Sequence, residues 1–490
     1  MEQLQLEAGS ETGLRRTLTA KNLIALGIGA IIGTGVFVIT GTVAANNAGP
    51  ALVISVLISA LGCVFAGLCY AEFAAMIPIA GSAYTYSYAS LGEFIAWIIG
   101  WDLILEYMFA ASTVAVGWSG YVVSFLADFG IIIPSKMCHA PFDYVASHWA
   151  NVNGVATHID SQWVATGGVF NFPAVFIIVI ISTLLVIGIK ESVKFNNIIV
   201  IIKVTVLLLF VAFGISYINT ANWHPFIPAN TGLFENFGWT GILSGAGIIF
   251  FAYIGFDAVS TAAQETINPK RNMPIGILGS LIVCTILYVM VSLVLTGIVS
   301  YKELNVSAPI ALAINKCGAA LMWLRPLIKI GAIAGLSSVI LVMLLGQPRI
   351  FYTMAVDGLL PKVLTKIHPR FHTPWVTTII VGVIAAFFAG FLPLDILSQL
   401  VSIGTLLAFV IVCGSIIVLR KTQPDTPRAF RTPWVPFVPI AGMVICFAQM
   451  FALPASTWER LIIWMAIGMA VYFLYGQKHS KLNTKNNPQK

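Results

Sequence analysis

Long apolar runs alternate with short polar breaks along nearly the whole chain. A hydrocarbon core takes about 20 residues of helix. Runs of that order lie near 21–46, 50–77, 93–127, 171–190, 197–219, 237–264, 274–300, 319–355, 374–391, 394–420, 433–453 and 456–476. The pattern predicts an all-α polytopic membrane protein with about twelve transmembrane helices. The third and eighth runs are long enough to tilt or to extend beyond the bilayer. The stretch 127–171 reads as an ordinary extracellular loop, and 347–374 as an amphipathic inner loop against lipid headgroups.

Two runs are interrupted from within: LGIGAIIGTGVFV (26–38) and GAGIIFFAYIGFDAVS (245–260). Each interior glycine weakens a helix by about 1 kcal/mol relative to alanine. The glycines therefore predict local unwinding, around 32–35 in the first segment and around Phe251, Ala252, Tyr253 and Ile254 in the second. Unwound backbone exposes N–H and C=O groups that membrane depth tolerates only along a protein cavity. Close helix packing through Gly29 and Gly33 is the alternative reason for the first cluster. Its GxGxxxG spacing, in a span rather than after a strand, is no dinucleotide fingerprint. Broken helices in matching positions of two halves point to a transporter's substrate site. A small zwitterion suits such a site: its carboxylate meets N–H groups at a half-helix N-terminus, its ammonium meets carbonyls at a C-terminus.

Composition agrees with the pattern: of 490 residues 58% are hydrophobic and 9% charged, against about 25% charged in a soluble domain. Ionisable residues inside spans are costly and therefore informative. Lys203 sits six residues past Asn197 in its span, close enough to snorkel to the inner surface; its other reading is a buried ammonium standing in for a coupling cation. Glu106, midway along the third run, reads as a partner for a cationic substrate side chain, a proton holder, or a satisfied interior carboxylate. Asp257, one turn past the second break, reads as support for that break. Asp102 and Glu72 receive no ligand role.

Most of the 26 lysines and arginines fall in alternate connections and tails, among them Arg15, Arg16, Lys190, Lys270, Arg271, Lys362, Arg420, Arg428, Lys485 and Lys490. The positive-inside bias places both termini in the cytoplasm. The net charge of +7 is then a topology signal and not a nucleic-acid footprint. The first 20 residues lack the pattern of a cleaved secretory signal, so the first span directs insertion. The seven cysteines show no metal spacing. Cys138 and Cys317, both expected outside, read as free thiols ahead of a disulfide, which needs a close approach that spacing does not establish. Cys138, His139, Asp143, His148, His158 and Asp160 share one connection, but their irregular spacing favours a plain loop over a metal site. No HExxH, GxSxG or Walker pattern points to an enzyme, and neither a metal nor a cofactor is expected.

The stretches GIGAIIGTGVFV, YAEFAAMIPIAGSAYTYSYASLGEFIAWIIGWDLILEY, VKFNNIIVIIKV, FFAYIGFDAVSTAAQETINPKRNMPIGI and GQPRIFYTMAVDGLLPKV resemble the amino acid-polyamine-organocation (APC) superfamily, and within it the cationic amino acid transporter group. The resemblance covers nearly the whole chain. It implies a LeuT-like five-plus-five inverted repeat with discontinuous helices 1 and 6. The parts are a cytoplasmic tail (1–20), a first repeat (21–220), a second repeat (221–420), two peripheral spans (421–476) and a second cytoplasmic tail (477–490). The substrate contacts implied are Ile31, Gly33, Thr34, Gly35, Phe251, Ala252, Tyr253 and Ile254, with Glu106 beside the pocket. Lys203 matches a fifth-span lysine that replaces sodium in similar transporters, which implies proton coupling. Gly29, Ser337 and Ser338 are its expected neighbours. The partners implied are an amino acid, a proton and membrane lipids, in a plasma membrane. An exchanger of amino acids or polyamines without net proton coupling shares every one of these motifs.

Overall fold

The computed structural model describes residues 18–76, 82–145, 148–152, 155–159, 162–188, 193–260 and 266–481. Arg15, Arg16, Lys190, Asp160, Lys485 and Lys490 lie outside the described residues.

Each expected apolar run is occupied by helix. Helix α1 (Ala20–Ile31) ends early, and the chain resumes in a π turn at Gly35–Ile39. Then come α2 (Leu52–Met76), a short α3 (Ser82–Ser90) and α4 (Glu93–Asp128), the last interrupted by a π turn at Leu105–Phe109. Helices α5 (Phe172–Ile187), α6 (Val193–Gly214) and α7 (Gly238–Ile249) follow. The rest are α8 (Pro269–Ile298), α9 (Pro309–Lys316), α10 (Leu324–Val356), α11 (Trp375–Phe391), α12 (Leu394–Thr422), α13 (Phe437–Phe451) and α14 (Ala455–Val471). Among the described residues, eight helical stretches are long and apolar enough to cross a membrane. Four shorter apolar helices accompany them.

The helices pack in two sets. Helix α8 packs on both α1 and α2, and α7 packs on α2, while α4, α5, α10 and α11 all contact one another. Small residues permit the close approaches: a Cβ on Gly67 of α2 would stand 3.0 Å from Leu281 of α8, and one on Gly276 would stand 2.6 Å from Leu23 of α1. Such small-residue contacts replace the hydrophobic drive that lipid cannot supply. Helix α6 bridges the groups, touching α1, α8 and α10. That position decides where Lys203 points.

Two expectations change. The 127–171 connection is not a plain loop, and the chain is not wholly helical. Strand β1 (Phe142–Val145) pairs antiparallel with β4 (Gln162–Ala165), and β2 (His148–Val152) pairs with β3 (Val155–Ile159). The aromatic pair Tyr144 and Trp163 sits in register with ring centroids 5.4 Å apart, and the Arg460 guanidinium stacks 4.9 Å from the Tyr144 ring, fastening the ribbon to α14. Cross-strand aromatic pairs of this kind offset the weak local signal of short strands. Likewise 347–374 does not begin as a loop: α10 continues through Gln347 and Pro348 to Val356, and a 3-10 turn follows at Lys362–Thr365. A proline inside a membrane helix loses one backbone bond, which neighbouring groups can compensate. Cys138 and Cys317 are free, buried thiols.

Candidate substrate site

The first break falls at Ile32, whose backbone leaves helical geometry at φ −71°, ψ 101°. Gly33 follows, then a π turn starts at Gly35. At the second, α7 tightens into a 3-10 turn at Phe250–Tyr253, Ile254 is extended at φ −60°, ψ 138°, and Gly255 takes φ +113°. Gly255 is required twice over. An L side chain disfavours that φ, and a Cβ would stand 2.9 Å from the carbonyl of Ala30.

The two breaks meet. Gly35 lies so close to Ala252 that a Cβ on Gly35 would overlap the Cα and Cβ of Ala252. The Tyr288 hydroxyl of α8 is shared between them, 3.0 Å from the Ile31 carbonyl and 2.9 Å from that of Ala252. Ile31, Thr34, Phe251, Ala252, Tyr253 and Ile254 are all buried. The Thr34 hydroxyl has no hydrogen-bond partner among the described residues, and it stands 3.0 Å from where a Cβ on Gly117 of α4 would lie. Gly117 and Val38 line a cavity of 510 Å³ that reaches the β-ribbon through Cys138, His139 and Asp143 and also meets Asp395. The cavity therefore abuts the π turn that follows the first break, at Val38. Among the described residues no group of three His, Cys, Asp or Glu is arranged to hold a metal.

Lys203 does not snorkel. Its side chain is fully buried, and Nζ donates to the carbonyl of Gly29 at 2.7 Å and to that of Ile32 at 2.9 Å. These are the carbonyls that the end of α1 leaves without intrahelical partners. The hydroxyls expected beside it are turned elsewhere. Ser337 donates to Ile333 and accepts from Trp118 Nε1 at 2.9 Å, and Ser338 donates to the carbonyl of Gly335. The neighbour from α10 is Gly335 itself, where a Cβ would stand 2.9 Å from Lys203 Cγ. A serine's short side chain bonds its own helix backbone more readily than a distant ammonium.

Glu106 lies in the π turn of α4, 1% exposed, with neither carboxylate oxygen hydrogen-bonded among the described residues. It adjoins Asp257, whose Oδ2 accepts from the Tyr107 hydroxyl at 2.9 Å. Asp257 thus ties the segment past the second break to α4.

The model of the amino acid permease family matches residues 18–472. The chain belongs to that family. This permease is 46% identical over 483 residues to the methylthioribose transporter of Bacillus subtilis, covering 99% of this chain and 98% of that one. It is 47% identical over 484 residues to the branched-chain amino acid permease BcaP of the same organism, with the same coverage. Against human cationic amino acid transporter 4 the identity is 30% over 596 residues, covering 98% and 90%. These relatives are transporters and not enzymes, and the permease is a membrane protein of the APC superfamily.

Sequence reasoning missed the shared hydroxyl of Tyr288, the Tyr107 bond and the packing of Gly335. The signal for Tyr288 was available: a tyrosine in the apolar run ILYVMVSLV must find an acceptor for its O–H at membrane depth.

Proposed function

We propose that this permease is a secondary active transporter that imports α-amino acids by alternating access, driven by protons. The observation that carries the reading is the meeting of the two breaks at Gly35 and Ala252 under the hydroxyl of Tyr288. Half-helix ends converge there, and they supply what a zwitterion needs: N–H groups for a carboxylate and carbonyls for an ammonium. Ile31, Gly33, Thr34, Gly35, Phe251, Ala252, Tyr253 and Ile254 would contact the backbone of the substrate, and Glu106 with Phe251 would act on its side chain. The fold proposed is LeuT-like, with spans 1 to 5 (21–220) and 6 to 10 (221–420) as inverted repeats, spans 11 and 12 peripheral (421–476), and cytoplasmic tails at 1–20 and 477–490. Its place is the cytoplasmic membrane, oriented by the lysine and arginine bias.

Lys203 is the proposed coupling residue, because its ammonium holds the Gly29 and Ile32 carbonyls as a bound cation would. Losing its proton weakens that hold and releases the first break toward the inward-open form. Purified permease in proteoliposomes tests the coupling: an imposed pH gradient drives uptake, and a sodium gradient without one does not. Uptake that follows sodium and ignores pH overturns the assignment of Lys203. The methylthioribose transporter's 46% identity supports a second substrate reading, a neutral thio-sugar. A thermal-shift screen with amino acids, polyamines and methylthioribose separates the two.

A further inference from the structure

Helix α4 carries Asp102 and Glu106 one turn apart, on one face. Both are 1% exposed, as is Asp257 beside Glu106. Asp102 faces Gly404 of α12, where a Cβ would stand 2.8 Å from Oδ1. No N–H or O–H is donated to either oxygen of Asp102, to either of Glu106 or to Oδ1 of Asp257 among the described residues; the polar neighbours of Glu106 are the Asp257 carboxyl and the Thr405 hydroxyl, which itself donates to the Val401 carbonyl. The contrast with Glu72 is sharp. That buried carboxylate accepts two bonds from Arg420, at 2.9 and 2.8 Å, one from the Thr432 N–H, and has Arg428 at 3.2 Å.

No described lysine, arginine or histidine is ion-paired with any of the three acids on α4 and after the second break. The titratable groups that face them are tyrosines: Tyr107 from α4, Tyr70 from α2 and Tyr86 from α3; from α12, Gly404 faces Asp102 and Thr405 faces Glu106. Tyr70 is an independent sign of an unfilled need. Its ring is fixed between Phe256 and Phe409, at 5.8 and 5.4 Å. Its hydroxyl, fully buried and near Asp257 and Glu106, has no partner among the described residues.

Adjacent buried carboxylates without a cation are strongly unfavourable as charges. Binding a proton removes the charge and supplies an O–H for the neighbouring oxygen. We infer that Asp102, Glu106 and Asp257 form a proton-holding site of their own, separate from Lys203, with Asp102 as its member toward the Glu93 end of α4. The inference rests on proton-driven transport for its physiological role, but the site itself is tested without substrate. Lys203 is bonded to the carbonyls of α1, so the chain would then hold protons at two places.

Infrared spectroscopy of the full-length permease in lipid reads protonated carboxyl groups through their C=O stretch. At neutral pH the wild type shows such a band, part of it shifts when aspartate is carbon-13 labelled, and D102N loses one component while E106Q loses another. Absence of the band in wild type, or no shift with labelled aspartate, overturns the inference even if D102N fails to fold. A folded D102N, judged by its thermal unfolding, with an unchanged band also overturns it. Failure of amino acid uptake with the band intact would count against the proposed function and leave this site standing.

Discussion

Replacing Lys203 by methionine isolates the ammonium from its stem. The stem packs on Gly335, within 2.9 to 3.3 Å of where a Cβ would sit, and methionine keeps most of that volume. What disappears are the two bonds to the carbonyls of Gly29 and Ile32, at 2.7 and 2.9 Å. A buried acceptor left without a donor costs about 1–3 kcal/mol. Two such carbonyls therefore weaken the broken form of α1 by about 2–6 kcal/mol, less whatever burying the ammonium had cost. If only about 1.4 kcal/mol of this falls on the substrate-bound form, affinity drops about tenfold. Accumulation driven by a pH gradient, which needs the proton on Lys203, is expected to vanish. Equilibrium binding by scintillation proximity and uptake into proteoliposomes, with and without the gradient, measure the two effects on one preparation. Equal loss of binding and accumulation would make the lysine merely structural. Undiminished gradient-driven accumulation in K203M would refute the coupling argument.

Other substitutions probe the junction of the breaks. Gly35→Ala forces a methyl into Ala252; overpacking of this kind costs about 1–3 kcal/mol, so uptake should be lost in protein that still elutes as a single species, and normal uptake would contradict the close approach. Tyr288→Phe removes only the hydroxyl shared by the Ile31 and Ala252 carbonyls, with an expected loss of about 1–3 kcal/mol, read as a weaker Kd by calorimetry. Burial raises the thiol of Cys138 above its ordinary value, and its Sγ donates to the Pro134 carbonyl at 3.5 Å. Its thiolate fraction at neutral pH is therefore below that of a free thiol, and maleimide labelling should be slow there and accelerate as pH rises. Rapid labelling at neutral pH would mean that Cys138 is not buried.

The breaks and Lys203 were legible because glycine and charge are conspicuous in an apolar run, where each carries a local energetic penalty. Their partners were harder to read. The acceptors of Lys203 come from a helix more than 170 residues earlier, and only the bridging position of α6 brings them together. Ser337 and Ser338 are the hydroxyls that the sequence offers to the ammonium, but helix phase turns Ser337 to Trp118 and leaves Gly335 against the stem. The clamp on Glu72 is equally nonlocal: Arg420 from the last turn of α12, and Arg428 and the Thr432 N–H from the segment after it, converge on it. The β-ribbon escaped notice because its strands are four or five residues long, too short for alternation to stand out from a loop rich in glycine and asparagine. Asp102 reads as structural in the sequence because nothing local marks its neighbours, and its lack of donors is a property of how α4 packs against α12.

The most direct test of the paired breaks as an amino acid site is equilibrium binding of a transported amino acid in competition with analogues altered only at the backbone. The account predicts that the free amino acid competes, while its N-acetyl derivative and its amide, each lacking one charged end, fail to compete at comparable concentration. Equal competition by the analogues would show that the half-helix ends do not recognise the ammonium and carboxylate, and would contradict the central claim.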